Sequence, residues 1–299
     1  MKLFKATSEY IQLGKDKVHI KVFEPEQQAK ATPILAIPGS VEDGRIFYSN
    51  SGRGLAPWLA EQGYTVYVPD LRGRGLSTPK AEKGGGADQT TMLNTDIPAY
   101  IDYVKQHSGN SKQHWMAHSW GGVQLLAYLA KNEPQVEVEK MVFFGSKRHI
   151  ATKSWRKWVM VNLAWVRLGE YLVNKHGYLP AIKWKMGSEN EHAELYRQTR
   201  YWVMNPDWKD ENDDFDYAAA LQQKNLPLTL LTTGAHDWVL GNPADVARLK
   251  WEMGDGDKHK VKVFGKEFGN QRNYGHIDLL KHPLATEEVF PEVLEWINK

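Results

Sequence analysis

A strand that becomes a helix within a few residues, with one serine at the bend, is the feature that most restricts this chain. Trp115-Met116-Ala117 is a short apolar run that reads as the end of a buried strand, and Val123 to Lys131 reads as an amphipathic helix. Between them lie His118-Ser119-Trp120-Gly121-Gly122, with the small residues Ala117 and Gly121 two positions to either side of Ser119. So abrupt a turn forces the serine into strained dihedrals, and a large side chain at either flank would collide with the crossing backbone. The turn lifts the hydroxyl clear of the sheet and aims the first free N–H groups of the helix at whatever the hydroxyl attacks. Small-x-Ser-x-small also arises by chance, so its meaning depends on whether the other parts of a catalytic machine follow in order.

The surrounding chain alternates short apolar runs with helical stretches. Tyr10–Leu13 and Val18–Phe23 flank Gly14-Lys15-Asp16 and read as a β-hairpin. Pro33–Ile37 is a continuous apolar run, the mark of a strand buried on both faces, and it ends at Pro38-Gly39-Ser40. A helix over 55–62 stops at Gly63, a strand over 64–68 runs into Pro69-Asp70-Leu71-Arg72-Gly73-Arg74-Gly75-Leu76-Ser77, and residues 79–89 form a polar, Gly-rich surface loop. A helix over 95–107, a strand over 112–117 and a strand over 139–144 follow. This order predicts a mostly parallel sheet wrapped by helices, whose active edge lies at the carboxyl ends of the strands. Residues 147–216 carry helical stretches, 155–172 and 191–203, but no convincing strand. The pattern then resumes with a strand over 228–232, a helix over 243–253, a strand over 259–264 and a closing helix over 287–297. The expected organisation is a core of 1–146 and 217–299 with a helical cap, 147–216, inserted over the active edge.

Composition removes several classes. A chain of 299 residues can bury a sizeable core. With 38 basic and 36 acidic residues the formal charge is +2, and the cations are spread along the chain, so no nucleic-acid partner is expected. The absence of cysteine rules out disulfides and thiolate metal sites, and no metal or organic cofactor is expected. Met1-Lys2-Leu3-Phe4-Lys5 lacks the apolar region of a signal peptide, and no apolar run approaches the ~18 residues a bilayer requires, so a cytoplasmic protein is expected.

A serine hydroxyl is a weak nucleophile until an imidazole takes its proton, and the imidazole in turn needs a carboxylate to fix its tautomer. Asp237, in Gly234-Ala235-His236-Asp237-Trp238-Val239, follows the strand ending at Thr232. His276, in Tyr274-Gly275-His276-Ile277-Asp278, follows the last strand. The order Ser119, Asp237, His276, each after a strand, selects these three. His118 sits inside the bend on the side away from the hydroxyl and reads as structural. His236 would have to displace Asp237 from the loop tip, and Asp278 is too near His276 in sequence to approach the ring from behind. The oxyanion formed by attack needs two donors. One is the N–H of Trp120, and the other comes from the loop after 34–37, with Ser40 preferred and Val41 next.

On these residues the chain resembles an α/β-hydrolase fold serine hydrolase of esterase or lipase type. The matching segments are Pro38-Gly39-Ser40, Asp70 to Ser77, Ala117 to Gly122, Gly234 with Asp237, and Gly275-His276. Family members often have His-Gly where this chain has Pro38-Gly39, so a histidine-assisted oxyanion loop is absent, and Ala117 replaces the commoner glycine. The resemblance implies that Asp70 to Ser77 shapes a loop near the bend and takes no part in catalysis. Gly275-His276-Ile277-Asp278 with Glu288-Val289-Phe290-Pro291 also resembles hydrolases related to polyhydroxyalkanoate synthases. Those synthases carry cysteine at the bend, and Ser119 disfavours polymerisation. Dehalogenases and epoxide hydrolases of this fold carry aspartate there, so Ser119 points to acyl transfer.

Six of the twelve tryptophans fall in the cap, at 155, 158, 165, 184, 202 and 208. With Val159, Val161, Leu163 and Val166 they are expected to pack the cap on the core or to line an apolar slot for an acyl chain. Val41, Trp155, Trp158 and Trp238 are the expected substrate contacts. Trp155-Arg156-Lys157-Trp158 would also suit a weak contact with a lipid surface, and no obligate protein partner is expected. The leading expectation is hydrolysis of small-molecule carboxylic esters or thioesters. An acyltransferase would use the same triad. A small-residue aminopeptidase would need an acidic cap pocket, for which Glu189, Glu191 and Glu194 are candidates. A non-enzymatic binding protein would be expected to have lost one of the three catalytic groups.

Overall fold

The computed structural model describes every residue except Met1, Lys2, Gln28, Ala31, Gly85, Gly86, Ala87, Asp255 and Gly256. Part of the loop expected over 79–89 therefore lies outside the described residues. Among the described residues ten strands follow in chain order: β1 (Phe4–Leu13), β2 (Asp16–Pro25), β3 (Ile34–Ile37), β4 (Val66–Pro69), β5 (Lys112–His118), β6 (Glu137–Phe144), β7 (Tyr178–Leu179), β8 (Glu191–His192), β9 (Leu228–Gly234) and β10 (Lys260–Phe264). Eight form one sheet in the order β1-β2-β4-β3-β5-β6-β9-β10. The hairpin β1–β2 and its junction with β4 are antiparallel, and every later pairing is parallel.

Continuous apolar runs become central strands because both faces of the sheet are covered. Side chains alternate between faces. Leu35, Ile37, Trp115, Ala117, Met141 and Phe143 pack on one side with the helices Ile97–Ser108 and Trp120–Lys131. Ile34, Ala36, Met116, Val142 and Phe144 pack on the other with Leu55–Glu61 and Phe290–Asn298. β5 is inside the sheet, with Ala117 opposite Ile37 of β3 and Phe143 of β6. Ser119 thus emerges at the centre of the carboxyl edge, flanked by the loops after β3, β6, β9 and β10.

The hairpin is longer than its alternation predicts, and the expected helix over 123–131 begins at Trp120. Between β6 and β9 the chain leaves the sheet. It forms a continuous helical rod from Trp155–Lys157 through Trp158–Leu168 to Gly169–His176, then the helices Ala193–Met204 and Tyr217–Gln222. The expectation of no strand here is corrected: β7 and β8 pair antiparallel, Tyr178 with His192 and Leu179 with Glu191. Strands of two residues are too short to leave a period-two signal. Among the described residues no helix is long and apolar enough to cross a membrane.

Candidate active site

The bend at Ser119 is strained in the sense the sequence implies. Its φ of +49° and ψ of −118° lie outside the regions a residue with a Cβ prefers. The conformation is held because Ser119 N–H donates to Phe144 O at 2.7 Å, tying the bend to the end of β6. Gly121 has no room for a side chain: a Cβ there would sit 2.5 Å from Pro38 O and 2.6 Å from Ile37 O. Ala117 is wholly buried. Gly121 is therefore fixed by the close approach of the end of β3 and the residue after it, and Ala117 by its place inside the sheet.

Asp237 and His276, 39 positions apart, meet beside this bend. His276 Nδ1 and Asp237 Oδ2 are 2.6 Å apart, and Asp237 is only 3% exposed. Gly145, at the end of β6, lets the ring in: a Cβ there would stand 2.9 Å from both Cε1 and Nδ1 of His276. Burial alone would raise the Asp237 carboxyl. The charge of His276, its hydrogen bond and the N–H of Gly241 outweigh burial and hold Asp237 below the usual carboxylate range. Burial drives His276 the other way, below the ordinary histidine value against the pull of Asp237, and the neighbouring His118 and Lys147 add to the depression. With Nδ1 facing the carboxylate, Nε2 is the nitrogen free to exchange a proton. Ser119 and His276 open into the same cavity.

A second imidazole backs the first. His118 Nδ1 is 2.6 Å from Glu42 Oε1, His118 Nε2 is 3.3 Å from His276 O, and the two rings are 4.7 Å apart. Glu42 Oε1 also accepts from Gly39 N–H at 2.5 Å. Burial would raise the Glu42 carboxyl, but His118 and the Gly39 N–H bring it below its usual value. Glu42 thus joins the loop after β3 to the bend. Nothing in the spacing of the sequence separates Glu42 from a solvated glutamate.

Two N–H groups face the same edge unclaimed. Among the described residues, neither Ser40 N–H nor Trp120 N–H donates to a protein acceptor, whereas Val41 N–H lies 3.3 Å from Glu191 Oε2. The Trp120 group is one of the orphan donors at the start of a helix. Arg74, 1% exposed, braces this loop from below, donating to Gly39 O at 2.5 Å and pairing with Glu191 Oε2 at 2.5 Å. Asp70 accepts from Gly44 N–H, Leu76 N–H and the His19 ring, which shapes the segment that carries Arg74.

Ser119 lines a cavity of about 940 Å³ whose other walls include residues of the segment between β6 and β9. Val41, Val161, Ala164, Trp165, Trp184 and Met186 line its apolar part. Trp155, Trp158 and Trp238, expected along that wall, do not line it. Trp155 and Trp158 are 73% and 56% exposed, and Trp238 lies under the Arg156 guanidinium at 3.6 Å. Along the rod, Val161, Ala164 and Trp165 face the cavity, while Trp155 and Trp158 face outward. Trp202 and Trp208 pack in the core instead: Trp208 stacks on Tyr217, and Trp202 meets Tyr217 edge-on and Trp120 at a tilt. Glu191 is bound to Arg74, Glu189 to Arg45 and Glu194 to Arg197, so the three carboxylates a peptidase pocket would need are each engaged by an arginine.

Residues 32–175 match a family described as alpha/beta hydrolase fold. A probable lipase of Schizosaccharomyces pombe is 24% identical over 173 residues, covering 54% of this chain and 39% of that protein. Gastric triacylglycerol lipase of Bos taurus is 21% identical over 296 residues, covering 79% of this chain and 72% of the lipase. Among solved structures, haloalkane dehalogenase DbeA from Bradyrhizobium elkani superposes with a TM-score of 0.64 at 16% identity over 98% of both chains. At that identity the likeness concerns the fold. The chain spans well under half of the S. pombe relative.

Proposed function

The chain has the α/β-hydrolase fold, and on that premise we propose that it is a serine hydrolase of carboxylic esters or thioesters with an apolar acyl group. The observation that carries this reading is the 2.6 Å contact of His276 Nδ1 with Asp237, beside a serine held at positive φ in the same cavity. In this reading Ser119 Oγ attacks the ester carbonyl carbon while His276 Nε2 takes the hydroxyl proton. Trp120 and Ser40 N–H groups receive the oxyanion. His276 then hands the proton to the leaving alcohol or thiol, the carbonyl–leaving-group bond breaks, and an acyl-Ser119 remains. Water, deprotonated by His276, attacks the acyl carbon, and the acid departs as Ser119 recovers its proton. The lipase names among the relatives support ester chemistry. The dehalogenase likeness does not bear on it, since the reacting group at the bend here is a hydroxyl.

The test is hydrolysis of p-nitrophenyl esters of rising chain length. Burying a methylene contributes ~0.8 kcal/mol, so kcat/KM is expected to rise up to about fourfold per added CH2 until the cavity is filled. Failure of the parent chain both to cleave these esters and to be labelled by a fluorophosphonate would overturn the reading.

The depressed His276 sets the acid limb of the profile. The base works only unprotonated, so kcat/KM climbs with pH and levels off once His276 has lost its proton. Because burial moves that loss below the ordinary histidine value of 6.5, the limb is expected below pH 6.5. An apparent pKa at or above 6.5 in the kcat/KM profile would contradict this.

A further inference from the structure

Two consecutive cations follow β6, and they are treated very differently. Arg148 is buried and fully engaged: it pairs with Glu252 and donates to the carbonyl oxygens of Trp202, Asn205 and Pro206. Lys147 is 5% exposed, yet among the described residues its ammonium has no hydrogen bond and no ion-pair partner. It lines the same cavity as Ser119 and His276, as do the apolar residues Ile150, Val203 and Leu240. Taking an ammonium out of water is costly unless something compensates it. Asp237 and Asp245 exert a partial pull, but Asp237 is held by His276, and Asp245 accepts from Ala151 N–H and Thr152. Burial lowers the Lys147 pKa to about 8, so the charge is still carried at neutral pH.

An ammonium that carries three donors and lines a cavity beside a nucleophile is suited to receive an anionic group of the substrate. We propose that Lys147 recognises a carboxylate on the substrate, so that the natural ester is amphipathic, with an apolar portion against Val161, Trp165 and Met186 and a carboxylate at Lys147. The proposal rests on the reading of Ser119 as nucleophile for the word ester. The carboxylate subsite itself rests on Lys147 alone.

The test uses the full-length chain and two simple probes, hexanoate and hexanol, in calorimetric titrations of the parent, Lys147→Met and Lys147→Arg. Hexanoate is expected to bind the parent at least tenfold more tightly than hexanol does, to lose at least tenfold in Lys147→Met, and to recover most of that in Lys147→Arg. Lys147→Met is expected to melt no lower than the parent, because it removes a buried charge without a partner, and the melt shows that the variant is folded. In parallel, the kcat/KM ratio of a p-nitrophenyl hemi-adipate to p-nitrophenyl hexanoate is expected to fall about tenfold in Lys147→Met. If Lys147 only balances the field of Asp237, the substitution would shift the acid limb of His276 and leave hexanoate affinity unchanged, and the proposal would be overturned. Equal binding of hexanoate and hexanol by the parent would overturn it too. Hexanoate binding that depends on Lys147 in a chain that cleaves no ester would leave the subsite standing and remove the reading of the reaction.

Discussion

Ser119→Ala is expected to lower kcat for ester hydrolysis by about 10^4- to 10^6-fold, the loss typical when the nucleophile of such a triad is removed. It should also abolish fluorophosphonate labelling. The reason is local. Ser119 Oγ makes no hydrogen bond to the described protein, so its removal takes away the proposed attacking atom and no structural contact. The bend is held by the Ser119 N–H to Phe144 O bond and by the fit of Gly121 against Pro38 and Ile37, and both survive in the variant. The melting temperature should therefore be unchanged. Labelling that persists in the variant would move the nucleophile elsewhere.

Asp237→Asn is expected to cost about 10^4-fold in kcat with little change in KM. The side chain is nearly isosteric, so the loss does not come from packing. Two groups ask Asp237 for an acceptor, the His276 ring and the N–H of Gly241. An amide has one oxygen. If Gly241 takes it, the NH2 faces Nδ1, and Nδ1 must then accept. The ring proton moves to Nε2, where it points at the serine and cannot accept the hydroxyl proton. The same substitution removes the charge that stabilises the imidazolium formed during attack. A variant retaining more than a tenth of the parent kcat would show that Asp237 does not set the tautomer. The two substitutions act on one unit, so the double variant should lose little beyond Ser119→Ala alone.

The sheet was legible because parallel strands covered on both faces are apolar where they cross the core. Ile34–Ile37, Trp115–Ala117 and Met141–Phe144 carry that pattern without interruption. The bend was legible because close backbone approach demands small residues at fixed offsets from Ser119. The segment between β6 and β9 was legible as largely helical and not beyond that. Two-residue strands such as β7 and β8 have no period, and six tryptophans in one segment do not say which face of a helix each occupies. Trp165 and Trp184 line the cavity, Trp202 and Trp208 pack in the core, and Trp155 and Trp158 face outward. Lys147 could have been noticed, since it follows the end of β6 in a loop at the active edge. Its significance is that it is buried and unpartnered, and both are properties of its neighbours.

The amino-acid order alone determined which strands alternate with which helices, that a serine sits where a strand meets a helix, and that an aspartate and a histidine follow later strands. Those features are local, set by side-chain period and by the room a backbone turn leaves. Tertiary structure alone decided that Asp237 and His276 lie 2.6 Å apart, that Glu42 and His118 back them, and that Lys147 faces the cavity with an unpaired charge. Each of these depends on chain segments tens of residues apart meeting at one edge of the sheet. The free energy of a buried charge is fixed by what surrounds it, and a sequence does not state its surroundings.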